Sequence, residues 1–132
     1  MTKEWLKASQ YDLLTIERIV DVDYLTHIVA FHSEQSIEKS LKALMISKNI
    51  DIPKIHSLNR LLKLSEDVIK NYDIQIVNKL DKLYIDSRYP SELGLLPYGK
   101  PSFEDAKEFY KFALDIFDKV CKILEINKKD LI

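Results

Sequence analysis

The chain has 132 residues, near the commonest domain size, and its twenty basic residues against twenty-one acidic ones leave a net charge of −1 at pH 7. Bulk charge therefore does not argue for nonspecific binding to nucleic acid or to an anionic membrane, although it leaves room for a local basic patch. A single cysteine, Cys121, excludes an intramolecular disulfide, no window approaches the roughly 20 apolar residues of a bilayer span, and the opening MTKEWLKASQYDLL lacks the apolar stretch of a signal peptide.

One cytoplasmic domain over residues 1–132 is the expectation. Its apolar residues keep helical spacing in five segments. The first runs from about Thr2 to Val20, with Trp5, Ala8, Leu13 and Ile16 on or near one face, Thr2 as N-cap and Glu4 placed to complement the positive end of the helix. The second and longest runs from about Tyr24 to Lys48, with Leu25, Ile28, Phe31, Leu41 and Leu44 recurring at three and four. A third is expected from Ser57 to Lys70 and a fourth from Asp73 to Ser87, after a break at Asn71-Tyr72. Pro90 disfavours the helical conformation at Tyr89, so the fourth ends at Ser87 or Arg88. The fifth opens on Ser102-Phe103-Glu104-Asp105, which has the form of a capping box, and continues through Phe109, Ala113, Phe117 and Cys121 to Leu124.

Strand signals are nearly absent: there is no Asn-Gly or Asp-Gly turn and no alternating β-branched run between turn residues. The fold class is therefore all-α, an up-and-down four-helix bundle with an additional helix. Short connections at Asp21–Asp23 and Asn71–Asp73 make antiparallel neighbours, whereas Asn49–His56 and Arg88–Ser102 are long enough to cross the end of the bundle. Both glycines and three of the four prolines fall between Pro90 and Pro101. That stretch keeps Leu93, Leu95, Leu96 and Tyr98, too apolar for a solvated linker, so it is expected as an ordered loop packed on the helices with Arg88 at its root.

Few groups suggest chemistry. His27 and His32 stand five apart, poor spacing for one helical face, and no His-x3-His or carboxylate-rich site accompanies them or His56, so no metal is expected. Cys121 falls on the apolar face of the last helix and reads as core. A glycine-rich phosphate loop is missing, because neither Gly94 nor Gly99 is followed by Lys-Ser or Lys-Thr. What remains is a polar stripe on the second helix, Gln35, Glu38, Lys39 and Lys42, and the end of the fourth, Tyr84, Asp86, Arg88 and Tyr89. Glu38 and Lys42 at i,i+4 have the favourable order for an intrahelical pair. Arg88, one of only three arginines beside seventeen lysines, either satisfies helix-end carbonyls or provides planar, bidentate recognition of phosphate or carboxylate.

The run Phe31-His32-Ser33-Glu34-Gln35-Ser36-Ile37-Glu38-Lys39-Ser40-Leu41-Lys42-Ala43-Leu44, followed by Pro53, His56-Ser57-Leu58 and Tyr84…Arg88-Tyr89-Pro90, resembles the HEPN domain, as does the opening Trp5…Ala8…Asp12-Leu13. The resemblance covers nearly the whole chain. It implies a bundle similar to the C-terminal domain of kanamycin nucleotidyltransferase, usually dimeric, and two quite different functions. Many members are metal-independent ribonucleases with an Arg-x4-6-His motif that meets its copy across the dimer cleft. Here every histidine precedes Arg88, Arg60 has none after it, and Arg18 precedes His27 by eight intervening residues. The second-helix motif of the family, Glu-x3-Lys followed by Asp, Asn or His, is kept as Glu38-x3-Lys42 but then reads Ala43.

The resemblance thus implies no catalytic activity for the chain on its own, His56 replacing the missing histidine through space being the toxin-like ribonuclease alternative. Other members are thought to bind nucleotides beside a minimal nucleotidyltransferase on a separate chain, and this sequence fits them better. The implied ligand site for a nucleotide or anion is Arg88, Lys42, Glu38, Lys39, Tyr84, Tyr89 and His56, with no cofactor, a nucleotidyltransferase partner, and nucleic acid not favoured. A ligand-free dimeric interaction module is the remaining alternative.

Overall fold

The computed structural model describes residues 1–54, 56–88 and 100–132, the side chains of 84–88 excepted. Five α-helices and no strand are found among these residues: α1 (Thr2–Ile19), α2 (Thr26–Ser47), α3 (Leu58–Leu64), α4 (Ile74–Arg88) and α5 (Phe103–Ile123). Short 3₁₀ turns at Asp23–Leu25 and Lys128–Asp130 complete the order. The segment 89–99, expected as an ordered loop, lies outside the described residues.

Each boundary has a local cause, and two differ from the sequence expectation. Met1, not Thr2, is the N-cap of α1 and makes no side-chain bond; the Glu4 carboxylate instead meets the N-terminal ammonium at 2.8 Å. The third helix stops at Leu64, well short of Lys70. There the Ser65 hydroxyl turns back to donate to the Leu61 carbonyl, and the amides of Val68 and Ile69 close on Ser65 O, a turn that buries Ile69 while Asp67 pairs outward with Lys48. Ser57 and Ser102 cap α3 and α5, accepting from the Arg60 and Asp105 amides at 3.3 and 3.0 Å.

The C-termini of α2 and α5 share one device. Asn49 takes φ 57° and Glu125 φ 55°, which lets the amides of Ile50 and Ile126 reach back to the carbonyls of Met45 and Cys121, each at 2.9 Å. These are Schellman motifs, and the residue following each left-handed position, Ile50 or Ile126, packs against the core.

α2 is the axis of the structure. It packs on α1 and α5 most extensively and on α3 and α4 with another side, so it is buried through Val29, Ile37, Leu41, Leu44 and Met45. Phe109, Ile116 and Phe117 of α5, Leu6 and Ile16 of α1, Leu58 and Leu61 of α3, and Val77 and Leu80 of α4 join it in one contiguous buried cluster. Full burial of each large side chain contributes about 1.5–3 kcal/mol. The α1–α2 contact runs antiparallel, with Trp5 beside Lys42 and Asp12 beside His32.

Small polar residues sit at the centre of that contact. The Ser9 hydroxyl donates to the Ser36 carbonyl at 2.8 Å, which leaves the Ser36 and Ser40 hydroxyls, each 2.8 Å away, to donate to it. Serines in place of large apolar residues let the two backbones approach while these three hydroxyl bonds stay inside the pair of helices. No described helix is long and apolar enough to cross a membrane.

Candidate functional site

The stripe of polar residues on α2 divides between two flanks of the helix. Toward α3, Glu38 is only 3% exposed, and its Oε1 accepts from Lys42 Nζ at 2.6 Å and pairs with His56 Nδ1 at 3.0 Å. The i,i+4 pair anticipated from spacing is thus present, with a histidine from the α2–α3 connection added to it. Lys42 Nζ also lies 5.3 Å from the centre of the Trp5 ring on α1, a cation–π distance. An ammonium has three donors, so after Glu38 two remain for a ligand.

Behind this corner lies a carboxylate that the sequence reading did not single out. Glu34, one turn before Glu38, is 1% exposed; its Oε2 accepts from Gln35 Nε2 at 2.8 Å, while Glu34 Oε1 and Glu38 Oε2 are buried with no other partner among the described residues. A proton held between these two carboxyl groups satisfies both oxygens. Burial, then the bond and charge of Glu38, push Glu34 up to about 9. Burial works on Glu38 in the same direction, but the Lys42 ammonium, the bond with Glu34 and the charge of His56 outweigh it and hold Glu38 below the usual range. The pair is therefore one acid and one carboxylate.

Asp81 of α4 fixes the remaining wall. Its carboxylate accepts from the amides of Leu58 and Asn59 at 2.7 and 3.1 Å, from Asn59 Nδ2 at 2.9 Å and from Ser57 Oγ at 3.4 Å. Those amides are the otherwise unpartnered donors that begin α3, so Asp81 ties the start of α3, and with it His56, to α4. A period-based reading could not find Asp81, since its partners are more than twenty residues away.

Lys39 turns to the other flank. Its Nζ donates to Asp12 Oδ2 of α1 at 2.8 Å, and Asp12 Oδ1 pairs with His32 Nδ1 at 2.8 Å. The structure thus brings Glu38, Lys42 and His56 together and places Lys39 in a separate cluster. Arg88 is the last residue of α4, seven positions beyond Asp81 and so about 10.5 Å further along the helix. The side chains of Tyr84 and Arg88, and Tyr89 altogether, lie outside the described residues.

Two other groups bear on chemistry. Cys121 is buried in the core, and burial pushes its thiol up to about 11, which keeps it protonated and unreactive. His27, whose Nδ1 is buried with no partner among the described residues, is held below its ordinary value by burial and by Lys100. Among the described residues no group of three or more His, Cys, Asp or Glu side chains is placed to hold a metal ion.

The HEPN domain family model matches residues 2–124. The crystal structure of an archaeal HEPN homologue is similar with a TM-score of 0.69 and 26% sequence identity, covering 92% of this chain and 96% of that one. No curated protein sequence matches the chain. The chain belongs to the HEPN domain family.

Proposed function

We propose that this HEPN domain is a nucleotide-binding subunit that acts beside a separate minimal nucleotidyltransferase, folding as one unit over residues 1–132 and working as a cytoplasmic homodimer. The observation that supports it best is Lys42, whose ammonium meets both the Glu38 carboxylate and the Trp5 ring. A cation with spare donors beside an aromatic face suits a phosphate joined to a base, and His56 on the same carboxylate adds a second nitrogen. In this reading Arg88, the last residue of α4, takes a further phosphate of the same nucleotide.

Calorimetric titration against a panel of nucleoside mono- and triphosphates tests the proposal. Wild type is expected to bind at least one of them, Lys42→Gln to weaken binding, and Arg88→Lys to weaken it by about 1 kcal/mol or more because a point charge replaces a bidentate fork. No heat and no thermal shift with any nucleotide would sink the reading and leave an interaction module. One observation favours the ribonuclease alternative, namely a half-exposed His56 oriented by a buried carboxylate, the support a general base needs. Cleavage of single-stranded RNA in excess chelator, lost in His56→Ala, would decide for it.

A further inference from the structure

Asp12, on the α1 flank of α2, has both oxygens engaged, one by His32 Nδ1 and the other by Lys39 Nζ. A carboxylate on Nδ1 makes that nitrogen the proton carrier, so the lone pair of neutral His32 is on Nε2. His32 is 24% exposed; among the described residues its Nε2 makes no protein hydrogen bond, and it is not sealed from solvent. The ring meets Phe31 edge-on, 5.2 Å between centroids and 81° between planes, which with the Asp12 bond holds its orientation. Lys39 donates to the other oxygen of Asp12, on the Nδ1 side of the ring, and so helps to fix the carboxylate that orients the imidazole. None of these residues belongs to the Glu38–Lys42–His56 corner.

We propose that His32 Nε2 is a phosphoryl-acceptor site, modified by small donors that carry a labile phosphoryl group, the phosphoramidates and acyl phosphates. With phosphoramidate, the Nε2 lone pair forms the new N–P bond as the donor's P–N bond breaks. The electron pair of that bond leaves with the nitrogen, which in the zwitterionic donor already carries three protons and so departs as ammonia. Nδ1 keeps its proton throughout, and the positive charge that develops on the ring is met by Asp12. Asp12 is a positioning residue, held in turn by Lys39, and the site differs from His27, whose Nδ1 is buried with no partner among the described residues, and from His56, which lies on Glu38.

The test is incubation of the full chain with potassium phosphoramidate, followed by phosphorus NMR and peptide mapping of the phosphohistidine. The expected result is a phosphoryl group on His32, at Nε2, lost in His32→Gln and kept in His56→Gln. Asp12→Asn should give a mixture of Nδ1 and Nε2 products, a readout that a merely structural role would not move. Should that variant fail to fold, mapping of the wild type still decides. Uptake spread evenly over the three histidines, or none under conditions that phosphorylate N-acetylhistidine, would overturn the assignment.

Discussion

Replacing Glu34 with glutamine should remove a pH dependence that the buried acid imposes on the fold. Glu34 titrates near 9 in the folded chain, against about 4.5 when unfolded, because burial and the neighbouring Glu38 charge disfavour its ionised form. Between those values the native state holds one proton more than the unfolded state, so stability falls as pH rises, by about 1.4 kcal/mol per pH unit. The contribution is complete below pH 4.5 and gone above pH 9. From pH 5.5 to 8.5 the loss reaches about 4 kcal/mol, a large share of the roughly 5–15 kcal/mol that hold a domain together.

Other shifted groups do not hide it. Glu38 is depressed, so its contribution is gained near its unfolded pKa and is flat above about pH 5.5. His27 is also depressed; its neutral form costs stability only as pH drops below its unfolded value, near 6.5. A glutamine amide in place of the acid can donate to Glu38 Oε2 and still accept from Gln35 through its oxygen. Urea titrations at half-unit steps from pH 6.5 to 8.5 should therefore show a falling wild type and a nearly level Glu34→Gln, with the variant the more stable at the alkaline end. Equal slopes in the two proteins would refute the shared-proton assignment.

Asp81→Ala should cost about 2–3 kcal/mol, since it strips the caps from the start of α3, and should loosen His56 as seen in faster amide exchange over residues 57–61. Glu125→Gly should stabilise by about 0.5 kcal/mol in denaturant unfolding, because the left-handed turn after α5 suits glycine better than a residue with a Cβ, less the extra freedom glycine gives the unfolded chain. The proposed homodimer should bury on the order of 1,200 Å² or more, and sedimentation showing only monomer at tens of micromolar concentration would exclude it.

The helices were legible because their signals are local. Apolar spacing located all five, and Ser57 and Ser102 marked two starts that the structure keeps as caps. Where the reading overran, at Leu64, the apolar period continued through Val68 and Ile69 while the backbone did not, because the Ser65 side chain and carbonyl compete for the turn. The same limit applies to the candidate site. Glu38 and Lys42 were visible as an i,i+4 pair, yet Glu34 looks in sequence like any surface glutamate of a charged helix. Only the packing of α2 between α1, α3, α4 and α5 buries it. Lys39 shows the converse: grouped by sequence with Lys42, it is claimed by Asp12, twenty-seven residues earlier. A helix enclosed on several sides cannot carry one polar face, so its charged residues are divided among the neighbours that supply their counter-charges. Around α2 this division yields two carboxylates, Asp12 of α1 and Glu38 of α2 itself, each holding a lysine of α2 and the Nδ1 of a histidine, and each on a different flank. Two such centres flanking one helix mean that function cannot be assigned to the stripe as a unit, and substitutions at Lys39 and at Lys42 should act independently, their effects on stability adding because they share no partner.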